Sequence, residues 1–253
     1  MTTRVLGLAR SNVLLMRRNL LTVVYAVVVP LLPLALLTTA PDRTGVAGAV
    51  FVTLVLLMAL LFPVYYNLLS MFVTRRDELV LKRLRSGEAT DAEIIVSMAL
   101  PGATLVFVVA GIAVVVAGVL GFPLPTNPIL LVIGLLLTCV TFAALALWTA
   151  AWTKNAEAAQ LTSAPVLMLA TFGVTRAAFP EGAQQWLDLL PGAALEDLVR
   201  VAWFGVEPGA LGTDAVTWAA TWSEALPALG YLLGWTIIGA LLARRAMTWE
   251  PRG

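Results

Sequence analysis

The densest run of charged residues in this chain occupies residues 74–91, between two long apolar stretches. It reads T-R-R-D-E-L-V-L-K-R-L-R-S-G-E-A-T-D, and five of the 16 basic residues fall in it: Arg75, Arg76, Lys82, Arg83 and Arg85. Because burying unpaired charge is costly, this charged loop must meet water or a charged partner. We predict that it is a docking element for a partner that supplies energy.

The residue types that perform most catalysis are missing. The chain has no histidine, which excludes Ser-His and Cys-His catalysis and His-based metal sites. Its single cysteine, Cys139, is expected to be a packing residue. Neither Lys82 nor Lys154 follows a glycine, so there is no P-loop for ATP. No Asp or Glu lies inside an apolar stretch, which argues against proton or sodium coupling. Energy must come from another subunit, or the chain is passive.

The composition is that of a polytopic membrane protein. Sixty per cent of the 253 residues are hydrophobic, 12% are charged and the mean hydropathy is +0.92, whereas soluble domains carry about 25% charged residues. A membrane-spanning helix needs about 20 apolar residues. We therefore predict an all-α fold, a single transmembrane domain over 1–253 with six transmembrane helices, at residues 20–39, 47–73, 94–120, 129–152, 160–179 and 226–243.

The distribution of Lys and Arg predicts the orientation. With both termini in the cytoplasm, 13 of the 16 basic residues lie on that side: four before residue 20, five in the charged loop, Lys154, and three near the C-terminus. Basic residues in short loops stay cytoplasmic. The charged loop is then cytoplasmic, residues 180–225 are extracytoplasmic, and a bacterial cytoplasmic (inner) membrane is the expected location.

Residues 1–18 predict a helix lying on the membrane surface. Its arginines share one sector of a helical wheel, and most of its apolar residues occupy the opposite half. A basic face against headgroups and an apolar face in the acyl boundary is typical of interfacial helices. Asn12 and Leu14 depart from this division.

The charged loop divides into a helix, a turn and the start of a second helix. Residues 75–86 are compatible with a helix that carries an apolar ridge of Val80 and Leu84, and Gly87 ends it. Thr90 and Glu93 then have the spacing of a capping box, which predicts that the third span begins there. A short helix with an apolar ridge and basic flanks suits insertion into a groove of another protein.

The extracytoplasmic segment predicts two short amphipathic helices separated by Pro191 and Gly192. Their apolar ridges contain Trp186 and Trp203, and aromatic residues of this kind favour the membrane interface. Residues 206–223 are expected to be interfacial coil or helix.

Polar residues on the second and fifth spans are candidates for lining a substrate pathway: Tyr65, Tyr66, Asn67, Ser70, Gln160, Ser163, Thr171 and Thr175. An unpaired polar group within hydrocarbon is costly, so each should face a cavity or a partner helix. Hydrogen bonding between helices explains the same residues equally well.

Together these motifs resemble the membrane subunit of type-2 ATP-binding-cassette (ABC) exporters, the group that includes drug-resistance and lipid permeases. The resemblance covers the whole chain and rests on R-R-x-E-x-x-x-K-R-L-R followed by T-D-A-E-I, and on F-P-x(6)-L-x-x-L-P from Phe179 to Pro191. It implies that the charged loop is the coupling helix, with Arg75, Arg76, Glu78, Lys82, Arg83 and Leu84 contacting the ATPase. The Arg-Glu-Gly of the family reads Arg76-Asp77-Glu78-Leu79 here, a shift of one position for the glutamate.

The resemblance implies a dimer of permeases, homomeric or with a paralogue, and a separate ABC ATPase that binds ATP and Mg. This chain would hold no cofactor and bind no nucleic acid. The expected activity is export of a bulky hydrophobic or amphiphilic substrate, such as an antibiotic (multidrug resistance), a lipid or a hydrophobic peptide. The alternatives are a passive channel or a membrane scaffold with a non-ATPase partner. An intramembrane enzyme is disfavoured, because the spans hold no pair of acidic residues and no metal-ligand cluster.

Overall fold

The computed structural model describes residues 2–18, 20, 24–39, 46–87, 89–209, 214–247 and 249. Over these residues the chain is helical, apart from turns and one isolated antiparallel bridge between Val206 and Ala215. The predicted loop at 40–45 and the C-terminal residues 250–253 lie outside the described part. The all-α prediction is therefore confirmed for the described residues.

The main helices follow the predicted order. They are α1 (Thr2–Arg18), α2 (Gly48–Asp77), α3 (Val80–Arg85), α4 (Asp91–Val119), α5 (Pro128–Trp152), α6 (Ala158–Val174), α7 (Glu181–Leu187), α8 (Pro191–Val199) and α9 (Thr221–Ala246). Among the described residues, α2, α4, α5 and α9 are long and apolar enough to cross a membrane. The protein is thus a multi-pass membrane protein.

The two other predicted spans are shorter or irregular. Helix α6 is an apolar helix of fewer than 18 residues. Residues 24–39 form a π-helical turn (Val24–Val28), one α-helical turn (Val29–Leu31) and a 3₁₀ helix (Leu32–Thr39). Pro30 and Pro33 lack the backbone N–H that a regular α-helix needs, which accounts for this change of winding. Helix length therefore does not establish six spans.

Helix α2 is also irregular in its middle. Residues Leu60–Tyr66 are π-helical around Pro63, and the Asn67 N–H donates to the Phe62 carbonyl five residues back. Proline removes one hydrogen bond of the α-helical ladder, and a wider turn restores pairing around it. Gly102 of α4 packs directly against the Pro63 carbonyl, where a Cβ atom would lie 2.1 Å from the oxygen.

Helix α5 packs against α2, α8 and α9. Its contact with α9 includes a hydrogen bond between the Thr141 and Thr236 hydroxyl groups, 2.8 Å apart. Gly134 lies directly against the Leu198 side chain of α8. Small residues and threonine hydroxyls of this kind allow membrane helices to approach closely.

Helix α8 differs from the prediction of an interfacial helix. Eight of its nine residues are buried, and the following π-helical turn Arg200–Phe204 is buried throughout. Trp203 lies in the core, where its indole N–H donates to the Pro123 carbonyl at 3.0 Å. The backbones approach so closely that a Cβ atom on Gly192 would lie 1.8 Å from the Ala170 carbonyl oxygen of α6. Helix α7, in contrast, has no buried residue, and Trp186 is exposed.

Candidate docking and coupling site

The charged loop turns sharply where α2 ends. Glu78 donates its backbone N–H to the Thr74 carbonyl, and Leu79 adopts a left-handed conformation with φ of 59°. For a residue with a Cβ atom this conformation costs about 1–3 kcal/mol. The Leu79 side chain is 45% exposed although it is apolar. A strained backbone that presents an exposed leucine is typical of a functional surface.

Helix α3 places its apolar residues differently from the predicted ridge. Leu81 is fully buried, and Leu84 packs against the core of the bundle. Lys82 and Arg83 are exposed. The exposed apolar residue of the charged loop is therefore Leu79. Leu84, which the sequence placed on the docking ridge, packs α3 against the bundle.

The return from α3 to α4 is fixed by local contacts. The Arg85 Nε atom lies 2.7 Å from Asp91 Oδ1, and its guanidinium lies 4.6 Å from the centre of the Trp249 ring. The predicted capping box is present: the Glu93 N–H donates to Thr90 Oγ1, and the Thr90 N–H donates to the Glu93 carboxylate at 2.9 Å. These contacts fix the C-terminal end of α3 and the start of α4.

Arg76 does not face the surface. Its side chain is completely buried and binds the C-terminal end of α5. Nη1 donates to the Ala150 carbonyl at 3.0 Å, and Nη2 donates to the carbonyls of Thr153 at 2.6 Å and Lys154 at 3.0 Å. The last carbonyls of a helix have no partner within it and carry partial negative charge, so a guanidinium binds them favourably. Arg76 thereby fastens the base of the charged loop to the loop after α5.

Arg75, its neighbour, points the other way. It is partly buried, and its Nη2 atom donates to the Oδ1 atom of Asn12 in helix α1. The two adjacent arginines thus connect the end of α2 to two different elements. Both guanidiniums therefore bind other parts of the chain, whereas the sequence pattern suggested that they are available on the loop surface.

Two grooves flank the exposed part of the loop. One has a volume of about 380 Å³ and lies between the end of α2 and the loop after α5; its lining is Thr74, Asp77, Glu78, Asn155, Ala156 and Glu157. The second, also about 380 Å³, is lined by Glu78, Leu79, Lys82, Arg83 and Ser86. Glu78 is exposed and borders both grooves. A partner that docks on this loop would therefore contact Glu78 and Leu79 together.

The candidate pathway residues fall into two groups. Tyr65 is buried and its hydroxyl forms a 3.0 Å hydrogen bond with the Thr149 hydroxyl of α5, so it connects helices and lines no open surface of this chain. Ser163 is buried as well, and its hydroxyl donates to the Gln160 carbonyl. The others are partly or fully exposed: Tyr66, Asn67, Ser70, Gln160, Thr171 and Thr175.

Some of these exposed residues come together. Tyr66 of α2 lies close to Gln160 of α6. One turn away, Phe62 stacks on Tyr25 of the 24–39 segment, with ring centres 5.9 Å apart. Aromatic and amide groups of α2 therefore lie beside both α6 and the 24–39 segment. Thr171 and Thr175 lie further along α6, and the Thr175 hydroxyl donates to the Thr171 carbonyl.

An ionic cluster at the opposite end of the bundle was missed by sequence analysis. The buried Arg176 contacts three carboxylates: its Nε atom lies 3.1 Å from Asp188 Oδ1, and Nη2 lies 3.6 Å from Glu196 Oε2 and in direct contact with Asp197. Arg200 Nε is 3.0 Å from Glu196 Oε1. The i,i+4 spacing of Glu196 and Arg200, with Arg176 in an apolar run, was the available signal.

This cluster joins α6 to the segment that contains α7 and α8. Asp197 also accepts a hydrogen bond from the Gly209 N–H at 2.6 Å. Burial raises the pKa of the Glu196 carboxyl above its usual value, and the guanidiniums of Arg176 and Arg200 oppose that rise. Burial likewise raises the pKa of Asp188. The Arg176 guanidinium lies among these carboxylates, so the carboxylates are not arranged to hold a metal ion. No cluster of residues that could hold a metal ion occurs among the described residues.

Comparison with known protein families identifies the class of protein. Residues 3–204 match the family described as ABC-2 type transporter. The chain therefore belongs to the ABC-2 type transporter family, and it is a membrane permease subunit without an ATPase domain of its own. A comparison with curated protein sequences gives no match.

Proposed function

We propose that this permease exports a bulky hydrophobic or amphiphilic substrate, driven by ATP hydrolysis on a separate ABC ATPase that docks on the charged loop. The observation that carries the proposal is the exposed Glu78–Leu79 pair at the strained turn between two grooves. The loop is cytoplasmic in this proposal, as the distribution of basic residues predicts. Six spans per subunit and a two-permease core complete it.

The docking step is supported by the way the loop is anchored. Arg76 fixes the end of α2 to α5, Leu81 is buried against the bundle, and Arg85 pairs with Asp91 at the start of α4. A force applied at Glu78 and Leu79 would therefore reach α2 and α5 through Arg76. Inside an interface, Glu78 would be partly desolvated, and an ion pair that is weak in water gains strength there. Removing one partner of such a pair costs about 2–5 kcal/mol of binding free energy.

The proposed substrate class follows from the groups gathered near Tyr66. Aromatic rings, an amide and hydroxyls without formal charge suit an amphiphile whose polar groups need orientation and whose bulk is apolar. Among the pathway residues, Tyr66, Asn67, Ser70 and Gln160 are proposed to contact substrate. Thr171 and Tyr25 are exposed and are proposed to lie near the partner permease, so cysteines at these positions should cross-link between subunits.

The decisive experiment compares Glu78→Ala and Leu79→Glu with Glu181→Ala, an exposed glutamate on α7 at the other end of the bundle. The permease is co-purified with a candidate ABC ATPase, and substrate-stimulated ATP hydrolysis and transport are measured in vesicles. Both loop variants should abolish stimulation and transport at wild-type expression, whereas Glu181→Ala should match wild type. Leu84→Glu is not a suitable probe, because Leu84 packs against the core.

Normal transport by both loop variants would contradict the docking proposal. Co-purification of a partner without ATPase activity would favour the passive scaffold instead. The orientation is checked with cysteines at Ser86 and Gln184, which should label from opposite sides of an intact membrane. The background for this experiment is Cys139→Ala, since Cys139 is the natural cysteine.

A further inference from the structure

Asn12, a polar residue on the face of α1 that packs toward the bundle, has a specific hydrogen-bond partner. Val5, Leu8, Ala9 and Asn12 form the stripe of α1 that packs toward the bundle, while Leu6, Val13 and Leu14 remain exposed. Asn12 is only 4% exposed. Its Nδ2 atom donates to the Ser97 carbonyl of α4 at 2.7 Å. An asparagine buried on an apolar stripe must have a structural or functional reason, because an unpaired amide there is costly.

The reason lies in the sequence of α4. In a regular helix the Ser97 carbonyl accepts from the N–H of residue 101, but residue 101 is a buried proline and has no N–H. Pro101 therefore leaves the Ser97 carbonyl without its helical donor, and the amide of Asn12 supplies the missing hydrogen bond. The other end of the same amide accepts from Arg75 at the base of the charged loop.

We propose that Asn12 is a positioning residue that makes α1, the base of the charged loop and the proline-containing helix α4 move as one unit. A displacement of the loop then shifts α1 along the membrane surface, where its exposed leucines contact acyl chains. The role in transport rests on the proposed function, whereas the junction itself does not. Asn12 touches neither substrate nor nucleotide in this proposal.

A double-mutant cycle tests the junction without any ATPase. Pro101→Ala restores the N–H that Ser97 requires, so Asn12→Leu should lose less stability in the Pro101→Ala background than in the wild-type background. Loss of one hydrogen bond in a domain of this size lowers the melting temperature by about 2–4 °C. If the two substitutions change the melting temperature by additive amounts in the double mutant, the proposal is overturned. Ser11→Ala is the control, because the Ser11 hydroxyl bonds only to Gly7 of its own helix in the contacts described.

Coupled motion is tested in the assembled transporter with spin labels at Ser11 and Ser86, both exposed, in a Cys139→Ala background. The distribution of distances between the two labels should stay narrow in wild type with and without ATP. In Asn12→Leu this distribution should broaden. Transport per ATP hydrolysed should fall at least several-fold in Asn12→Leu while hydrolysis continues. Unchanged distances and an unchanged transport-to-hydrolysis ratio would overturn the proposal. If the wild-type permease binds no ABC ATPase, the proposed function is refuted. The result of the double-mutant cycle of melting temperatures is not affected by that outcome.

Discussion

Replacing Arg76 tests whether the base of the charged loop is held from inside the bundle. Arg76→Ala removes the donors of three carbonyls at the end of α5, all within 2.6–3.0 Å of the guanidinium. Each hydrogen bond to a charged group is worth about 1.5–3 kcal/mol, and part of this sum offsets the desolvation of the guanidinium. By analogy with the loss of one partner from a buried ionic contact, we expect a net cost of about 3–5 kcal/mol.

This cost is large for a protein whose folding free energy is about 5–15 kcal/mol. At about 2–4 °C per kcal/mol for a chain of this length, the melting temperature should fall by roughly 6–20 °C. The assay is fluorescence-detected size exclusion after heating in detergent. Arg76→Met keeps most of the side-chain volume, so the fall in melting temperature that it still shows measures the loss of the carbonyl contacts. Arg76→Lys should be intermediate, because one ammonium cannot reproduce the planar fork of donors.

The control is Arg85→Ala, which removes a surface ion pair with Asp91 whose side chains are 44% and 46% exposed. Such pairs contribute at most about 1 kcal/mol. An Arg76→Ala protein that melts within 2 °C of wild type by this assay would refute the reasoning, since the α5 carbonyls would then have other donors.

Three further predictions concern other parts of the chain. Gly192→Ala should prevent α8 from packing on α6, because its Cβ atom would lie 1.8 Å from the Ala170 carbonyl oxygen, whereas Gly182→Ala, with no atom within 4 Å, should fold normally; protease sensitivity of the 180–209 region distinguishes them. Because burial raises the folded-state pKa of Glu196 above 4.5, its stabilising contribution is present below the unfolded pKa and is lost as pH rises through the folded pKa. As the pH rises through the folded-state pKa, the melting temperature of wild type should therefore fall relative to that of Glu196→Gln. Parallel curves of melting temperature against pH for the two proteins would contradict this. Leu79→Gly should raise the melting temperature slightly, since glycine adopts φ of 59° without strain, and should weaken ATPase stimulation; a lower melting temperature would show that Leu79 packs more than it docks.

Features that depend on near neighbours in sequence were predictable. The Thr90–Glu93 capping box needs only residues three apart, and it correctly placed the start of α4. The charged loop and the Phe179–Pro191 motif indicated the family, which the match over residues 3–204 confirms. The polar pathway residues and the ATPase contacts remain predictions.

Features that depend on distant contacts were not predictable. The sequence shows two equivalent arginines at 75 and 76, and only the packing of α2 against α5 turns Arg76 inward. Leu81 and Leu84 both suit an apolar ridge, and the left-handed turn at Leu79 decides which residue is exposed. The apolar composition of α8 fits an interfacial helix and a buried one equally well. Its burial follows from the close approach that Gly192 permits, together with the pairing of Arg176.

The wide turn in the middle of α2 fixes the direction in which the charged loop points. An α-helix advances by about 100° of rotation per residue, and a π-helical turn holds one residue more than an α-helical turn. If Leu60–Tyr66 rewound as an ordinary α-helix with all of its residues kept, the extra residue of the wide turn would be taken up as additional rotation. Everything from Asn67 to Asp77 would then rotate by about 100° relative to residues before Leu60. Arg76 would leave the end of α5, and Glu78 and Leu79 would turn toward another side of the bundle. The winding of this one stretch therefore sets the direction in which the charged loop faces.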